Sequence, residues 1–249
     1  MIEKINILKY YSNRGYVEEN DIILKEYLFS IYINNNLIVE LLTIPKKLRE
    51  LVIGYMYTEG MIKSFEDIDT IDINEEKGIA NIELKERLYN DKSTLVTTDS
   101  GDFRAIPYQF YNDYEKVKLN KIKFDPEVVI RKFQELKKGS DLFNKTGNVH
   151  SVQICKGDKT LYFAEDIGRY NAFDKCVGAA IIDGEDLSKT VVYTSGRIPS
   201  SIAMKTIRAG IPIIVSRSAP SDKTLKLAKE YDLTVIGFAT KEKINIYNM

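Results

Sequence analysis

The sequence predicts an α/β protein, with a layered mixed sheet over residues 125–249 and a smaller α+β region over residues 1–118. Two observations carry this expectation. In the second half, strand patterns at 149–155, 161–164, 191–193, 211–215 and 233–238, the central ones short apolar runs, alternate with helical patterns at 171–182, 199–209 and 221–231. Continuous apolar runs are what strands look like when helices cover both faces of their sheet. The first half instead shows paired strand patterns around a single helix. With 249 residues and 44% hydrophobic residues, the chain has material for a substantial core.

Along the chain, residues 27–33 and 37–42 flank Asn34, Asn35 and Asn36 and read as a β-hairpin. A helix is expected over 46–59, with Thr43 as its cap and Pro45 near its first turn. Leu48, Leu51, Val52, Tyr55 and Met56 form its packed face, and Gly60 its stop. Residues 68–84 read as two strands broken near Glu76 and Gly78. The pattern weakens from Tyr89 to Tyr114, and the stretch 97–104, rich in Thr, Asp, Ser and Gly, has the signature of a mobile loop. Residues 116–123 form a crossover. Asp125-Pro126 opens a helix with Val129, Ile130, Phe133 and Leu136 at three- and four-residue spacing, and residues 244–247 are a final edge strand.

Composition narrows the function. Lys+Arg and Asp+Glu both total 36, so the chain lacks the positive excess of a general nucleic-acid coat. No apolar run is long enough to span a membrane, and the first residues do not resemble a signal peptide, so the expected location is cytoplasmic. The two cysteines, Cys155 and Cys176, fall in a strand and a helix pattern as buried hydrophobes. With one histidine and two separated cysteines there is no zinc set.

Four polar turns stand where ligands bind in such sheets, at strand ends beside helix N-termini. They are 146–148, 165–169, 194–197 and 216–220. Arg169, Arg197 and Arg217 offer planar donors to phosphate oxygens, while Ser195 and Ser218 add hydroxyls and the glycines admit close backbone approach. Neither serine lies in a G-x-S-x-G element, and His150, the sole histidine, fits ligand orientation or structure better than catalysis. Glu165 and Asp166 are adjacent, which does not place two carboxylates across a substrate. No Walker or dinucleotide fingerprint is present.

Several segments together resemble the formate dehydrogenase accessory protein family, FdhD: LRELVIGYMYTEGMI at 48–62, TGNVHS at 146–151, EDIGRYNAFDKCVG at 165–178, SGRIPSSIAMKTIRAGIPIIVSRSAPS at 195–221, LTVIGF at 233–238 and NIY at 245–247. The resemblance implies a dimeric two-part protein with a cytidine-deaminase-like α/β domain. It also implies transfer of sulfur from a cysteine desulfurase to bis-molybdopterin guanine dinucleotide, before that molybdenum cofactor enters formate dehydrogenase or a related molybdoenzyme. The family's cofactor-contacting stretch falls on 238–243, which adds Phe238, Lys241 and Lys243. The expected cofactor-binding set is then His150, Asp166, Arg169, Ser195, Arg197, Arg217, Ser218, Phe238, Lys241 and Lys243. The sequence departs from the family at the C-G-x-C-G element, where Ser100 and Phe103 stand in the cysteine positions, and at Tyr170, where the family carries histidine. A persulfide carrier needs a thiol, so no catalytic residue is assigned. The expected activity is supporting cofactor sulfuration. The alternatives are cofactor presentation without sulfur transfer and a nucleotide-directed enzyme using Glu165, Asp166, Ser195 or Ser218, with a purely structural interaction protein as the remaining reading.

Overall fold

The computed structural model describes residues 1–86, 96–98 and 118–248. Readings made for 87–95 and 99–117, including Ser100 and Phe103, lie outside these residues. The chain opens with a two-stranded ribbon, β1 (Ile2–Tyr11) and β2 (Gly15–Leu24), which the sequence did not announce. Strands β3 (Tyr27–Ile33) and β4 (Asn36–Thr43) form the expected hairpin. Its turn is made by Asn34 and Asn35 at φ 48° and 63°, the left-handed pair that suits a tight two-residue connection.

Helix α1 spans Leu48–Thr58, so Pro45 precedes it rather than opening it. Thr43 is not its cap either; Lys47 is, without a side-chain bond. The Thr43 hydroxyl instead donates to Asp166, 2.5 Å away. Strands β5 (Ile68–Asn74), β6 (Ile79–Leu84) and β7 (Val96–Thr98) complete a five-stranded sheet of order β5-β6-β3-β4-β7. Phe29, Ile31, Ile33, Val39 and Leu41 pack in one core with Leu48, Leu51, Val52 and Met56 of α1.

Helices α2 (Pro126–Lys138) and α3 (Asp141–Thr146) follow. The second, six residues long, is too short to leave a period in the sequence. Strands β8 (His150–Lys156) and β9 (Lys159–Asp166) lead to α4 (Arg169–Ile182), then β10 (Val191–Thr194), α5 (Ser200–Arg208), β11 (Ile213–Ser216), α6 (Asp222–Tyr231), β12 (Thr234–Gly237) and β13 (Asn245–Asn248). They build a mixed six-stranded sheet of order β13-β12-β11-β10-β8-β9. Strands β10, β11 and β12 are parallel, while β8, β9 and β13 join antiparallel.

Side chains alternate across this sheet. Val152, Ile154, Val192, Ile214 and Val235 face a core shared with Phe173, Val177, Ile202 and Ala228 of α4, α5 and α6. Cys155, Tyr193, Ile213, Val215 and Ile236 face Val129, Phe133 and Leu136 of α2. No helix among the described residues is long and apolar enough to cross a membrane.

The two sheets meet through α1 and α4. A Cβ at Gly54 would stand 1.8 Å from the carbonyl oxygen of Asp174, and one at Gly178 would stand 1.9 Å from that of Glu50. The helix backbones therefore touch directly, a spacing open only to glycine at both positions. Two buried lysines flank the crossing. Lys175 meets Asp166 at 2.5 Å and the Ile44 carbonyl at 3.1 Å. Lys205 meets both Asp174 oxygens at 3.0 Å, the Thr58 hydroxyl at 2.6 Å and Glu59 at 2.7 Å. Burial pushes the Lys175 pKa below its ordinary value, while Asp166 works against the fall. Removing one partner of such a buried pair costs about 3–5 kcal/mol, because the other charge is left without its counter-ion.

Alanine normally stabilises a helix by up to about 1 kcal/mol over glycine. Gly178→Ala should do the opposite, lowering stability by about 1–3 kcal/mol or more through overpacking. Urea unfolding followed by circular dichroism measures the change; a variant as stable as the parent would contradict the direct backbone contact.

Candidate functional site: a cationic cleft at one end of the sheet

The parallel strands β10, β11 and β12 end at Thr194, Ser216 and Gly237, and β8 and β9 bring His150 and Asp166 to the same end. Three of the polar turns do connect a strand to a helix there. The loops after β10, β11 and β12 are tied side by side. Ser216 Oγ donates to the Gly196 carbonyl at 2.6 Å, the Ala239 amide donates to the Ser216 carbonyl at 3.0 Å, and the Phe238 amide donates to the Ser218 carbonyl at 3.4 Å. Ile198 and Pro220 form a further parallel bridge.

Beside these loops lies a cleft of about 180 Å³. One wall is apolar, with Phe133 and Leu136 of α2, Phe143 of α3, and Ile167; His150, Ser151, Ser195, Ser140 and Arg217 supply the polar wall. The sequence reading missed Ser140 and Ser151. Ser151 was visible as a hydroxyl next to His150 in an expected strand, whereas Ser140 caps a helix that left no pattern. Ser151 Oγ lies 3.0 Å from Ser140 Oγ, and Ser140 donates in turn to Glu165. The Ser151 amide donates to Ser195 Oγ at 3.0 Å.

The expected set divides into three groups. His150, Ser195 and Arg217 line the cleft. Arg169 and Arg197 act on the same imidazole: burial lowers the His150 pKa from its ordinary value, and the positive charges of Arg169, Arg217 and Arg197 lower it further against the opposing Asp166. Arg169 is buried over the Tyr170 ring, whereas Arg197 and Arg217 are exposed. Gly196 lets the backbone pass close to Arg169 and His150; a Cβ there would lie 3.3 Å from Arg169 Cβ. Ser218, Phe238, Lys241 and Lys243 sit on the neighbouring loops outside the cleft lining. Phe238 is exposed at φ 49°, and Lys241 pairs with Glu242 at 3.6 Å.

Asp166 stands apart from all of these. It is fully buried, and its oxygens accept from Thr43 Oγ1, the Ile44 amide, Lys175 Nζ, the Gly168 amide and Asn171 Nδ2. Those donors occupy the carboxylate within the protein, so it joins β9 to the first sheet rather than facing the cleft. Tyr170 is buried with its hydroxyl 2.6 Å from Ser201 Oγ.

Ser195 Oγ and His150 Nδ1 are 3.4 Å apart, which has the outline of a nucleophile and base. The contact is long, and the same hydroxyl already accepts from the Ser151 amide. Three guanidinium groups oppose proton uptake by the imidazole. The same charges favour an anion. Helices α4 and α5 both begin here without an acidic residue in the first turn, leaving their N-terminal dipole ends uncompensated. The geometry therefore suits holding phosphate-like oxygens.

Both cysteines are remote from such chemistry. Burial pushes the Cys155 thiol up to about 11 and the Cys176 thiol up to about 12. Cys176 Sγ also donates to the Val152 carbonyl at 3.2 Å, inside the core.

A model of the FdhD/NarQ family matches residues 24–249. The chain belongs to that family. Among its relatives are two proteins named Sulfur carrier protein FdhD. The one from Listeria monocytogenes (serotype 4b, strain F2365) is 32% identical over 230 residues, covering 90% of this chain and 88% of its own. The one from Bacillus subtilis (strain 168) is 30% identical over 231 residues, covering 91% and 88%. The crystal structure of a protein from Desulfotalea psychrophila, assigned as a formate dehydrogenase accessory protein, is similar with a TM-score of 0.82 at 26% identity. That likeness covers 100% of this chain and 97% of the other. The α/β expectation agrees with this FdhD/NarQ fold.

Since His150 is the only histidine in the chain, its imidazole signals in an NMR titration need no assignment. Arg217→Gln removes a positive neighbour and should move the His150 pKa upward. An unchanged or lower value would show that Arg217 does not act on this imidazole.

Proposed function

We propose that this FdhD/NarQ protein is an accessory factor of formate dehydrogenase, or of a related molybdoenzyme. It binds bis-molybdopterin guanine dinucleotide as cargo and presents it during maturation, without carrying sulfur on a thiol of its own. Its partners are the client enzyme and a cysteine desulfurase, it works as a homodimer, and it acts in the cytoplasm. The observation that carries the reading is a cationic, hydroxyl-lined cleft, together with two thiols away from it that are both buried and both hard to ionise.

The donor set fits the phosphates of that cargo. Arg197 and Arg217 are exposed at the loop ends, Arg169 lies behind them, and helix N-termini face the same region. Charge-assisted bonds to phosphate are strong and geometrically selective. Ser195 and Ser151 orient oxygens at the cleft floor, while Phe133, Leu136 and Phe143 offer a surface for a ring. His150 stays neutral and adds a hydrogen-bonding nitrogen without another charge.

Sulfur relay asks for a different group. A persulfide forms when a thiolate attacks, so reactive cysteines are exposed and have depressed pKa values. Cys155 and Cys176 have the opposite surroundings and are the sequence's two cysteines, and by the resemblance Ser100 and Phe103 stand where the family carries its own. Holding and orienting the cargo while another protein supplies sulfur is the role these residues support.

Calorimetry with GDP, which carries the guanine and diphosphate of the cargo, should show saturable binding. The Arg197→Gln/Arg217→Gln variant should bind at least about tenfold more weakly, with affinity falling as salt rises. Absence of saturable binding to folded protein would end the cargo assignment. Incubation with a cysteine desulfurase and cysteine should leave the intact mass unchanged while a cysteine-bearing control gains sulfur. A persulfide mapped to Cys155 or Cys176 would restore the carrier role to this chain.

A further inference from the structure

The hydroxyls at the cleft floor form a chain with a fixed direction. It begins at Glu165 on β9, which stands across the ladder from Ser151 on β8. Directly opposed residues of an antiparallel pair share a face of the sheet. Here it is the face covered by α2, where Gln153 donates to the Lys132 carbonyl at 2.6 Å. Ser140 stands at the N-terminus of α3, yet its side chain makes no bond to that helix. A serine in this position ordinarily accepts from one of the first helical amides. Ser140 Oγ instead donates to Glu165 and lies 3.0 Å from Ser151 Oγ.

A hydroxyl has one proton and two lone pairs, whereas a carboxylate only accepts. Glu165 therefore takes the Ser140 proton, and Ser140 has only lone pairs left to receive the proton of Ser151. Ser151 Oγ then has only lone pairs to offer, and no donor among the described residues reaches it. Ser195 is the converse. It accepts from the Ser151 amide at 3.0 Å and keeps its own proton, for His150 Nδ1 at 3.4 Å or for a ligand.

The two hydroxyls consequently select different groups. An ionised phosphate oxygen suits Ser195 and Arg217, and is repelled by the lone pairs of Ser151. Ser151 suits a donor, and the surfaces of Phe133, Leu136 and Phe143 in the same cleft suit a flat ring. An N–H on the edge of a heterocycle meets both demands.

We propose that Ser151 is a specificity residue that accepts from the 2-amino-lactam edge of a ring of the cargo. Glu165, acting through Ser140, is the positioning residue that keeps it an acceptor. That role rests on the cleft being the cargo site, and it specifies which part of the cargo enters. Guanine and pterin both carry this edge, and the cargo contains both. Ser151 is 4% exposed, so it has little access to water when no ligand donor faces it. A buried acceptor left unpaired in this way discriminates against rings that lack the donor.

Calorimetry on the full chain separates ring from phosphates, with GDP, pyrophosphate and pterin-6-carboxylate as probes. Ser151→Ala should narrow the ratio of GDP to pyrophosphate affinity about three- to tenfold, the range for one hydrogen bond. Glu165→Gln keeps the shape but supplies a donor, so the chain can reverse and turn the Ser151 proton toward the cleft. It should narrow the same ratio, and should add little once Ser151 is alanine, because both changes act through one hydroxyl. A merely structural Glu165 would weaken all probes together and add to Ser151→Ala, which would overturn its positioning role. If pterin is the ring held here, the loss appears with pterin-6-carboxylate in place of GDP. Saturable GDP binding, with neither ring probe sensitive to Ser151→Ala or Glu165→Gln, would overturn both roles and leave cargo binding standing. A folded parent protein that binds no probe would overturn these roles and the cargo assignment together.

Discussion

The direct contact of α1 with α4 sets the relation between everything else in the molecule. Gly54 and Gly178 remove the side chains that would hold the helices apart, and each backbone occupies the space a Cβ would need on the other. Once the axes are that close, α4 is fixed along its length. Thr43 and Ile44 reach Asp166 at its N-terminal approach, and Thr58 reaches Asp174 at its middle. The buried lysines, Lys175 on α4 and Lys205 on α5, complete these contacts. A charged seam inside a protein contributes little net stability compared with apolar packing, yet it tolerates only one alignment of its partners. Its effect here is to fix geometry.

That geometry ends at the cleft. Helix α4 begins beside Arg169, β9 ends at Asp166, and β8 begins at His150, so the first sheet and the cationic site share a boundary. Asp166 shows how the two are connected: one carboxylate accepts from β4, from the α4 entry loop and from Lys175. The positive character of the site follows from the same arrangement. The buried Asp166 carboxylate is occupied on both oxygens by donors within the protein, which leaves the guanidinium groups and helix ends to set the potential facing solvent.

Much of the α/β half was legible because burial on both faces writes continuous apolar runs between amphipathic helices. The polar turns between β9 and α4, β10 and α5, and β11 and α6 were legible for the same reason. What the sequence hid depended on distance or on convention. Thr43 looked like a helix cap because its true partner is 123 residues away. Asp166 looked like a ligand group because a carboxylate in a polar turn carries no mark of burial. Nothing in the sequence marks Lys175 and Lys205 as buried, since lysines almost always lie at the surface. The β1–β2 ribbon escaped notice because apolar residues appear on both of its faces, blurring the alternation that reveals a half-buried strand. Within the candidate site, His150, Ser195 and Arg217 were readable from their place at strand ends, whereas Ser140 entered through a helix too short to show itself.

The three loops over the cleft are joined largely through main-chain atoms, with carbonyls of Gly196, Ser216 and Ser218 accepting across the gaps. Main-chain ties are indifferent to what side chains the loops display. Exposed positions such as Arg197, Arg217 and Lys241 can therefore be exchanged over evolutionary time with little effect on folding, and affinity for a different anion can be selected on an unchanged frame. Stability and ligand preference are inherited separately in this region. A lineage can alter what the protein holds without first having to rebuild the fold that holds it.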